Sequence, residues 1–405
     1  MLGEIVFIHA ADLHLDSPIA GLKNIPAFIT DRLRESSFHA LRKLVDMAIM
    51  RQVDFLLLAG DIYDSENRSL RTQVRFRKEM ERLGEKGIQV YMIHGNHDHL
   101  DGSWVTVNLP KNMHVFQAHP EVKRYQKENG AAVNIYGYSY PRRHVAERIV
   151  SQYKKRTDAE YHIGLLHGNL EGRTEHSPYA PFSISELAEK DFDYWALGHI
   201  HKRQVISEQP VALYPGNIQG RNTKETGDKG CYLVTLEKGG GSYEFIETST
   251  IVWDSISIKP QDDCQFDEVL NDCRRVLKEM QEQKKSFLLE IIFDLDNHSL
   301  PTIFTEEFTE AVLDNLQEEA ELGDSFVWPY RIKVVNGWNS DMEAIMENSF
   351  LNELLTLELD SEGIDTALEP LYKHREARKF LDPLNDEENR ELVSESQRLI
   401  LQIFK

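Results

Sequence analysis

The sequence predicts an α/β protein: a two-sheet sandwich with helices on its outer faces, then a small α/β domain, then a helical C-terminal segment. Three observations carry this expectation. Short, wholly apolar runs recur through the first half, each closed by glycine or a polar cluster, as strands covered on both faces are. Stretches of helical periodicity separate several of these runs. After Ile256 a strand and helix pattern restarts, without polar clusters at its strand ends.

Five runs matter most. Ile5-Val6-Phe7-Ile8 precedes Asp12, Phe55-Leu56-Leu57-Leu58 precedes Asp61, and Val90-Tyr91-Met92-Ile93 precedes Asn96. Ile163-Gly164-Leu165-Leu166 precedes His167, and Tyr194-Trp195-Ala196-Leu197 precedes His199. Helices are predicted over 38–51 and 73–84, and strands over 232–236 and 243–247. The Gly239-Gly240-Gly241 triplet between those strands reads as a hairpin turn; no helix follows it, so it is not a phosphate loop. These elements define a first domain over 1–255. A second, over 256–338, reads as βαβαβ, with helices at 266–280 and 306–320 and strands at 287–295 and 330–335. The remainder, 339–405, is helical, with apolar stripes over 342–357 and 387–404.

Composition narrows the class. The chain has 405 residues and a formal net charge of −21. That charge is uneven: 1–260 holds 33 acidic and 32 basic residues, and 261–405 holds 34 and 14. The first part is therefore near neutral before any cation binds, and two divalent ions would add about +4 where they sit. Basic clusters at 68–78 and 142–156 read as solvated helix faces or as flanks of a phosphate groove. No apolar stretch approaches the roughly 20 residues of a membrane helix. The N-terminus shows no signal-peptide pattern, and Cys231, Cys264 and Cys273 have no metal spacing. A cytoplasmic protein with buried, reduced thiols is expected.

The polar clusters carry the chemistry. They are Asp12-Leu13-His14, Gly60-Asp61, Gly95-Asn96-His97-Asp98, His167-Gly168-Asn169 and Gly198-His199-Ile200-His201. Each follows an apolar run, so each is expected just past the carboxyl end of a strand, where open α/β sheets gather their sites. Carboxylates, imidazoles and a side-chain amide together suit Mn²⁺, Fe²⁺ or Zn²⁺. Asp12, His14, Asp61, Asn96, His167, His199 and His201 are seven candidate ligands, too many for one catalytic ion that keeps a position open. Two ions about 4 Å apart, sharing one carboxylate, accommodate all seven. The Asp-x-His and His-x-His spacings fit alternate residues of extended chain pointing the same way.

In this order the motifs resemble the calcineurin-type metallophosphoesterase superfamily. Within it, His9-Ala10-Ala11-Asp12-Leu13-His14-Leu15 and Gly60-Asp61-Ile62-Tyr63-Asp64 resemble the SbcD-type DNA-repair exonucleases, particularly the YhaO-like branch. The resemblance covers about residues 1–260 strongly and the rest in outline. It implies a metallophosphoesterase αββα sandwich and a Mn²⁺-dependent exodeoxyribonuclease. Asp12, His14, Asp61 and His201 would hold one ion, with Asp61 bridging to a second completed by Asn96, His167 and His199. A hydroxide held by the ions would be the nucleophile. His97 would stabilise the transition state or protonate the leaving oxygen, and Asp98 would orient it. The second domain would cap the site and help to select DNA ends. The C-terminal helices would either pack locally or dock on an SbcC-like coiled-coil ATPase, and family members commonly form homodimers. One departure is visible: relatives outside bacteria carry histidine where this chain has Asp64.

Further assignments stay open at this level. Tyr138-Ser139-Tyr140-Pro141-Arg142-Arg143 reads as a phosphate-backbone groove or as an ordinary turn. Tyr214-Pro215-Gly216-Asn217, with Arg221 and Lys224, reads as a substrate loop or a simple turn. Tyr63, Asp64, Arg142, Arg143, Asn217 and Arg221 are the candidate substrate contacts. His9 and His94 read as core histidines; His99, His144 and His176 read as solvated. Two other functions share the motifs. A phosphatase or phosphodiesterase for small nucleotides would cleave those faster than duplex DNA, and a regulatory subunit would bind fewer than two ions.

Overall fold

A computed structural model describes residues 3–374, apart from 19–21, 23–24, 65–67, 103–104, 129, 173–178, 239, 262–263, 296–303 and 337–360; beyond 374 it describes only 381, 384, 388–389, 392–393 and 396. The expected helices at 342–357 and 387–404 lie wholly or largely outside the described residues, as does His176.

The chain begins β1 (Ile5–Ala10), α1 (Ala27–Met50), β2 (Phe55–Ala59), α2 (Leu70–Gly84), β3 (Gln89–Ile93), β4 (Met113–Val115), β5 (Glu121–Gln126) and β6 (Ala132–Gly137). It continues β7 (Tyr161–His167), α3 (Ile184–Glu189), β8 (Tyr194–Gly198), β9 (Gln204–Glu208), β10 (Val211–Tyr214), β11 (Gly230–Glu237) and β12 (Gly240–Glu247). These strands form two six-stranded sheets, ordered β12-β11-β1-β2-β3-β4 and β5-β6-β7-β8-β10-β9. The centres are parallel: β1 to β2, β2 to β3, and β7 to β8. Antiparallel β11–β12 and β5 close edges.

Period-two alternation makes the layers. In β2, Phe55 and Leu57 face the second sheet, while Leu56 and Leu58 face α1 and α2. Between the sheets, Phe7 stacks on Phe55 with centroids 5.1 Å apart and meets Tyr194 edge-on at 5.2 Å. Outside the first sheet, Leu41, Leu44 and Val45 of α1 join Phe76 and Met80 of α2. Outside the second, Trp195 and Leu197 lie under Tyr153, Phe182 and Phe192. Each large apolar side chain so buried contributes about 1.5–3 kcal/mol. The αββα sandwich expected from the sequence is present.

The third sheet is parallel, β13 (Ile251–Ile258), β14 (Ser286–Leu295) and β15 (Val327–Asn336), with α4 (Phe266–Glu282) and α5 (Glu306–Glu318) as crossovers. The helices cover one face through Val269, Cys273, Val312 and Leu316. The boundary expected at 255/256 falls inside β13. A further helix, α6 (Ser361–Lys373), lies in the segment expected to be helical, between its two apolar stripes.

The other face of this sheet explains why α1 is longer than the helix expected at 38–51. Ile29 and Leu33, a turn apart, pack on Trp253, Leu288 and Trp328, so the helix extends back to Pro26. The intervening polar residues broke the apolar pattern; contacts from outside the sandwich restore it. Arg32 seals the joint, donating to the carbonyls of Gly323 (2.8 Å) and Asp324 (2.9 Å). Trp253 is wholly buried, and its Nε1 donates to the carbonyl of Gly220 at 3.1 Å. The third sheet thereby fixes the loop after β10.

Trp253→Phe keeps most of the ring volume but removes one of two donors to the Gly220 carbonyl, which retains Gln219 Nε2 at 3.1 Å. Loss of one such hydrogen bond costs about 0.5–1.5 kcal/mol. Urea denaturation should show an unfolding free energy lower by that amount, with an unchanged slope.

Candidate dimetal site

Five loops leave the carboxyl ends of β1, β2, β3, β7 and β8 and meet between the two sheets. The first two zip together: Asp12 N–H donates to Gly60 O (3.1 Å), His14 N–H to Asp61 O (3.0 Å) and Leu15 N–H to Ile62 O (3.0 Å). Asp12, His14, Asp61 and His199 all have positive φ, at 50°, 41°, 51° and 100°. Non-glycine residues in that region cost about 1–3 kcal/mol each and persist where their surroundings enforce them. Asp12 and His14 therefore share a target because the loop is coiled, which corrects the extended-chain reason for their spacing.

Glycines allow the approach. A Cβ on Gly198 would lie 1.9 Å from Ala59 O, and one on Gly95 would lie 2.3 Å from Asp61 Oδ1. His167 Nδ1 stands 2.9 Å from that same Ala59 carbonyl, which cannot donate. Nδ1 is consequently the protonated nitrogen, and Nε2 is the one that faces the cluster.

Oxygen and nitrogen atoms of ligand type converge here. His167 Nε2 lies 2.9 Å from Asn96 Oδ1 and 3.3 Å from Asp61 Oδ2. His199 Nδ1 lies 3.1 Å from the same Asn96 oxygen. Asp61 Oδ2 is 3.8 Å from His14 Nε2, which is itself 3.1 Å from His201 Nε2. Asp12 groups with His14 and His201 on one side, and with Asp61 and His167 on the other. Acceptors packed so closely need protons or cations among them. In the metal-free protein protons serve: burial would lower His167, but the Asp61 carboxylate outweighs it and lifts the imidazole to about 9. Burial likewise pushes Asp12 up to about 6. The set fits two divalent cations: Asp12 is common to both groups, and Asp61 Oδ2 lies within 3.8 Å of a histidine in each.

Around this cluster the structure sorts the remaining expectations. His97 follows Asn96, half-buried, its ring centroid 4.9 Å from that of His14. Asp98 does not orient it, which is a correction. Asp98 instead accepts from Gly95 N (2.7 Å) and Ile62 N (2.9 Å) and faces His94 Nδ1 at 3.3 Å. It splints the loops after β2 and β3. The carboxylate beside His97 is Asp64, 3.4 Å from Nδ1, an ion-pair separation longer than a good hydrogen bond. Burial alone would lower His97, but Asp61 and Asp64 raise it.

Tyr63 is 3% exposed and packs with Phe76, so it is core and no substrate contact. Tyr138 and Tyr140 are buried, and Tyr140 donates its hydroxyl to His167 O at 2.8 Å, bracing the site from beneath. The groove reading of that segment's aromatics is thereby corrected. Arg142 is exposed and paired with Glu147 at 3.0 Å; Arg143 is exposed. Asn217 is wholly buried and donates to Gln219 O (2.8 Å) and Glu225 Oε2 (2.7 Å). Arg221 lies between Glu225 (3.1 Å) and Asp64 (3.6 Å). Neither Asn217 nor Arg221 is held as a free substrate contact.

His9 is a core histidine, bonded to Tyr194 Oη (2.9 Å) and Leu197 O (3.1 Å), and burial lowers it to about 3. His94 is also buried. His144 is exposed, whereas His99 is half-buried, contrary to expectation. Two residues near the ligands escaped sequence reading. Glu225 belongs to no motif yet lies 2.9 Å from His201 Nδ1. Tyr179 lies with its ring centroid 4.8 Å from that of His199.

Cation binding must displace these protons, so affinity should fall as pH falls. Near pH 8 each protein should release about one proton on loading, from His167, and below about pH 6 a second, from Asp12. Titration calorimetry in buffers of different ionisation heat counts them; no release at either pH would contradict the assignment.

Comparison with known proteins places this geometry. Residues 5–203 match the family described as Calcineurin-like phosphoesterase. The metallophosphoesterase YhaO of Bacillus subtilis (strain 168) is 38% identical over 413 aligned residues, covering 100% of this chain and 99% of that one. The DNA double-strand break repair protein Mre11 of Sulfurisphaera tokodaii is 23% identical, covering 97% and 96%. Mre11 of Methanopyrus kandleri is 24% identical over 59% and 56%. Similarity along the whole length, with converged ligands at five strand ends, makes this chain a member of the calcineurin-like metallophosphoesterases.

Proposed function

We propose that this metallophosphoesterase is a DNA exonuclease of the SbcD type, working with Mn²⁺ and with an SbcC-like coiled-coil ATPase. The observation that carries phosphodiester chemistry is His97, a raised, half-buried imidazole that groups with His14 and Asp64 at the edge of the seven converged donors. DNA as substrate is supported by the resemblance of the whole chain to Mre11.

Asp12, His14, Asp61 and His201 would hold one cation, and Asp61, Asn96, His167 and His199 the other. Bound there, the two cations supply Lewis acidity to the phosphate oxygens and acidify a water for attack. The chain's own groups do the rest. The carbonyl of Ala59 holds His167 in the tautomer that turns Nε2 inward. With Asp64 beside Nδ1 of His97, Nε2 is the nitrogen left to bond a phosphate oxygen or to give its proton to the departing oxygen. Asp61 would be taken up in holding the cations, which would leave Asp64 as the carboxylate that keeps His97 charged. Asp64 is itself anchored by Ser17 Oγ at 3.0 Å.

End-labelled linear duplex DNA incubated with Mn²⁺ should shorten, and EDTA should stop it. His97→Leu should retain both cations and lose about 10²–10⁴ in rate. Cleavage of a generic phosphodiester dye with DNA left intact, alone and with the ATPase, would remove the DNA assignment and favour a small nucleotide substrate.

Asp64→Asn should still bind both cations, since Asp64 groups only with His14 and His97 and with none of the other six donors. Turnover should drop about 10–100-fold, the usual effect of losing an orienting partner. Single-turnover rates beside a metal titration separate the two; unchanged turnover would leave Asp64 without a role at His97.

A further inference from the structure

Glu225 lies on the loop between β10 and β11, outside every motif, and is 8% exposed. Four donors surround its carboxylate. Oε1 faces His201 Nδ1 at 2.9 Å and Arg221 Nη2 at 3.1 Å. Oε2 accepts from Asn217 Nδ2 at 2.7 Å and from the Arg221 backbone N–H at 2.7 Å. Only an acceptor-only group satisfies all four, and that group is an ionised carboxylate.

The arrangement decides the state of His201. Arg221 Nη2 also approaches His201 Nδ1, at 3.2 Å. A guanidinium can only donate, so a bond from it would require a bare Nδ1 and put the ring proton on Nε2. The carboxylate is closer and opposite in charge to an N–H dipole, so it prevails. Nδ1–H donates to Glu225, and Nε2, 3.1 Å from His14 Nε2, keeps its lone pair for the site.

We propose that Glu225 is a positioning residue for the dimetal centre: held by Asn217 and Arg221, it fixes the tautomer and ring direction of His201. It also balances the Arg221 guanidinium, which would otherwise stand as a bare cation beside a cation site. The inference rests on reading the seven donors as a two-ion site.

Glutamine cannot replace Glu225. Its oxygen can accept from His201 only if its NH₂ is turned towards Asn217 Nδ2 and the Arg221 N–H, both donors. Turned the other way, the NH₂ confronts Nδ1 and drives the proton to Nε2. The first loses the hold of Asn217 and the Arg221 N–H that aims the group at His201, and the second takes the Nε2 lone pair from the site.

The test is a Mn²⁺ titration of the metal-free, full-length chain, with EDTA-state melting as the fold check. Wild type should bind two ions. Glu225→Gln should bind one about 10–100-fold more weakly, the usual loss when a ligand histidine's carboxylate is removed, with the other little changed. Histidine side-chain ¹⁵N shifts of the metal-free proteins should place the His201 proton on Nδ1 in wild type and not in Glu225→Gln. Two equal affinities to wild type, with unaltered ¹⁵N shifts, would overturn the proposal. Should Glu225→Gln melt early in EDTA, Glu225→Asp replaces it; that change keeps the charge but draws it back by one methylene, and wild-type binding of both ions would again overturn the role. Fewer than two ions on wild type would instead remove the two-ion reading itself.

Discussion

The carbonyl of Ala59, at the end of a central strand of the first sheet, is the constraint on which the site depends. It stands 2.9 Å from His167 Nδ1 of the second sheet and leaves no room for any side chain on Gly198. One oxygen therefore sets both the tautomer of a ligand and the closeness of the sheets at their carboxyl ends. Farther down, Phe7, Phe55 and Tyr194 hold the sheets apart by ring packing. Aromatic rings fill the space between the sheets in the middle, and glycines permit the close contacts at the site end, where seven donors from five loops meet.

Strain and polarity at the site are supported from outside it. Asp12, His14 and Asp61 sit at positive φ in the zipped loops Asp12–Leu15 and Gly60–Ile62, held by three backbone hydrogen bonds, and His199, also at positive φ, donates its N–H to the Asp12 carboxylate at 3.1 Å. Asp98 adds two more acceptor contacts beneath them. These interactions are all made by the chain's own backbone and side-chain groups. What changes on loading is protonation, because closely packed acceptors exchange protons for metal.

A second layer of ionic groups runs along one side of the site, from His201 through Glu225 and Arg221 to Asp64 and His97. A buried guanidinium between two carboxylates is stable where each would be costly alone. The chain links a ligand position to the group suited to act on the leaving oxygen. It also joins the sandwich to the third sheet, since Trp253 bonds Gly220 in the loop that carries Arg221 and Glu225. Movements of the third sheet have a direct physical route to His201.

The sequence by itself determined the layered α/β fold, the strand-end location of the polar clusters, and the seven ligand types. Strands buried on both faces must be apolar throughout, and imidazoles and carboxylates directly after them have few other uses, so both are written locally. The parallel βαβαβ sheet was legible for the same reason, since strand and helix periods alternate there. Tertiary structure alone decided the partners. Asp98 and Asp64 are equally plausible neighbours of His97 in sequence, yet backbone amides of Gly95 and Ile62 claim Asp98. Arg221, Asn217 and Tyr63 look available in sequence, and folding commits them to Glu225, Glu225 and Phe76 respectively. The length of α1 was hidden because Ile29 and Leu33 pack on a sheet more than 200 residues later in the chain. Glu225 left no local signal: a single carboxylate in a polar loop acquires meaning only when four donors from the fold converge on it.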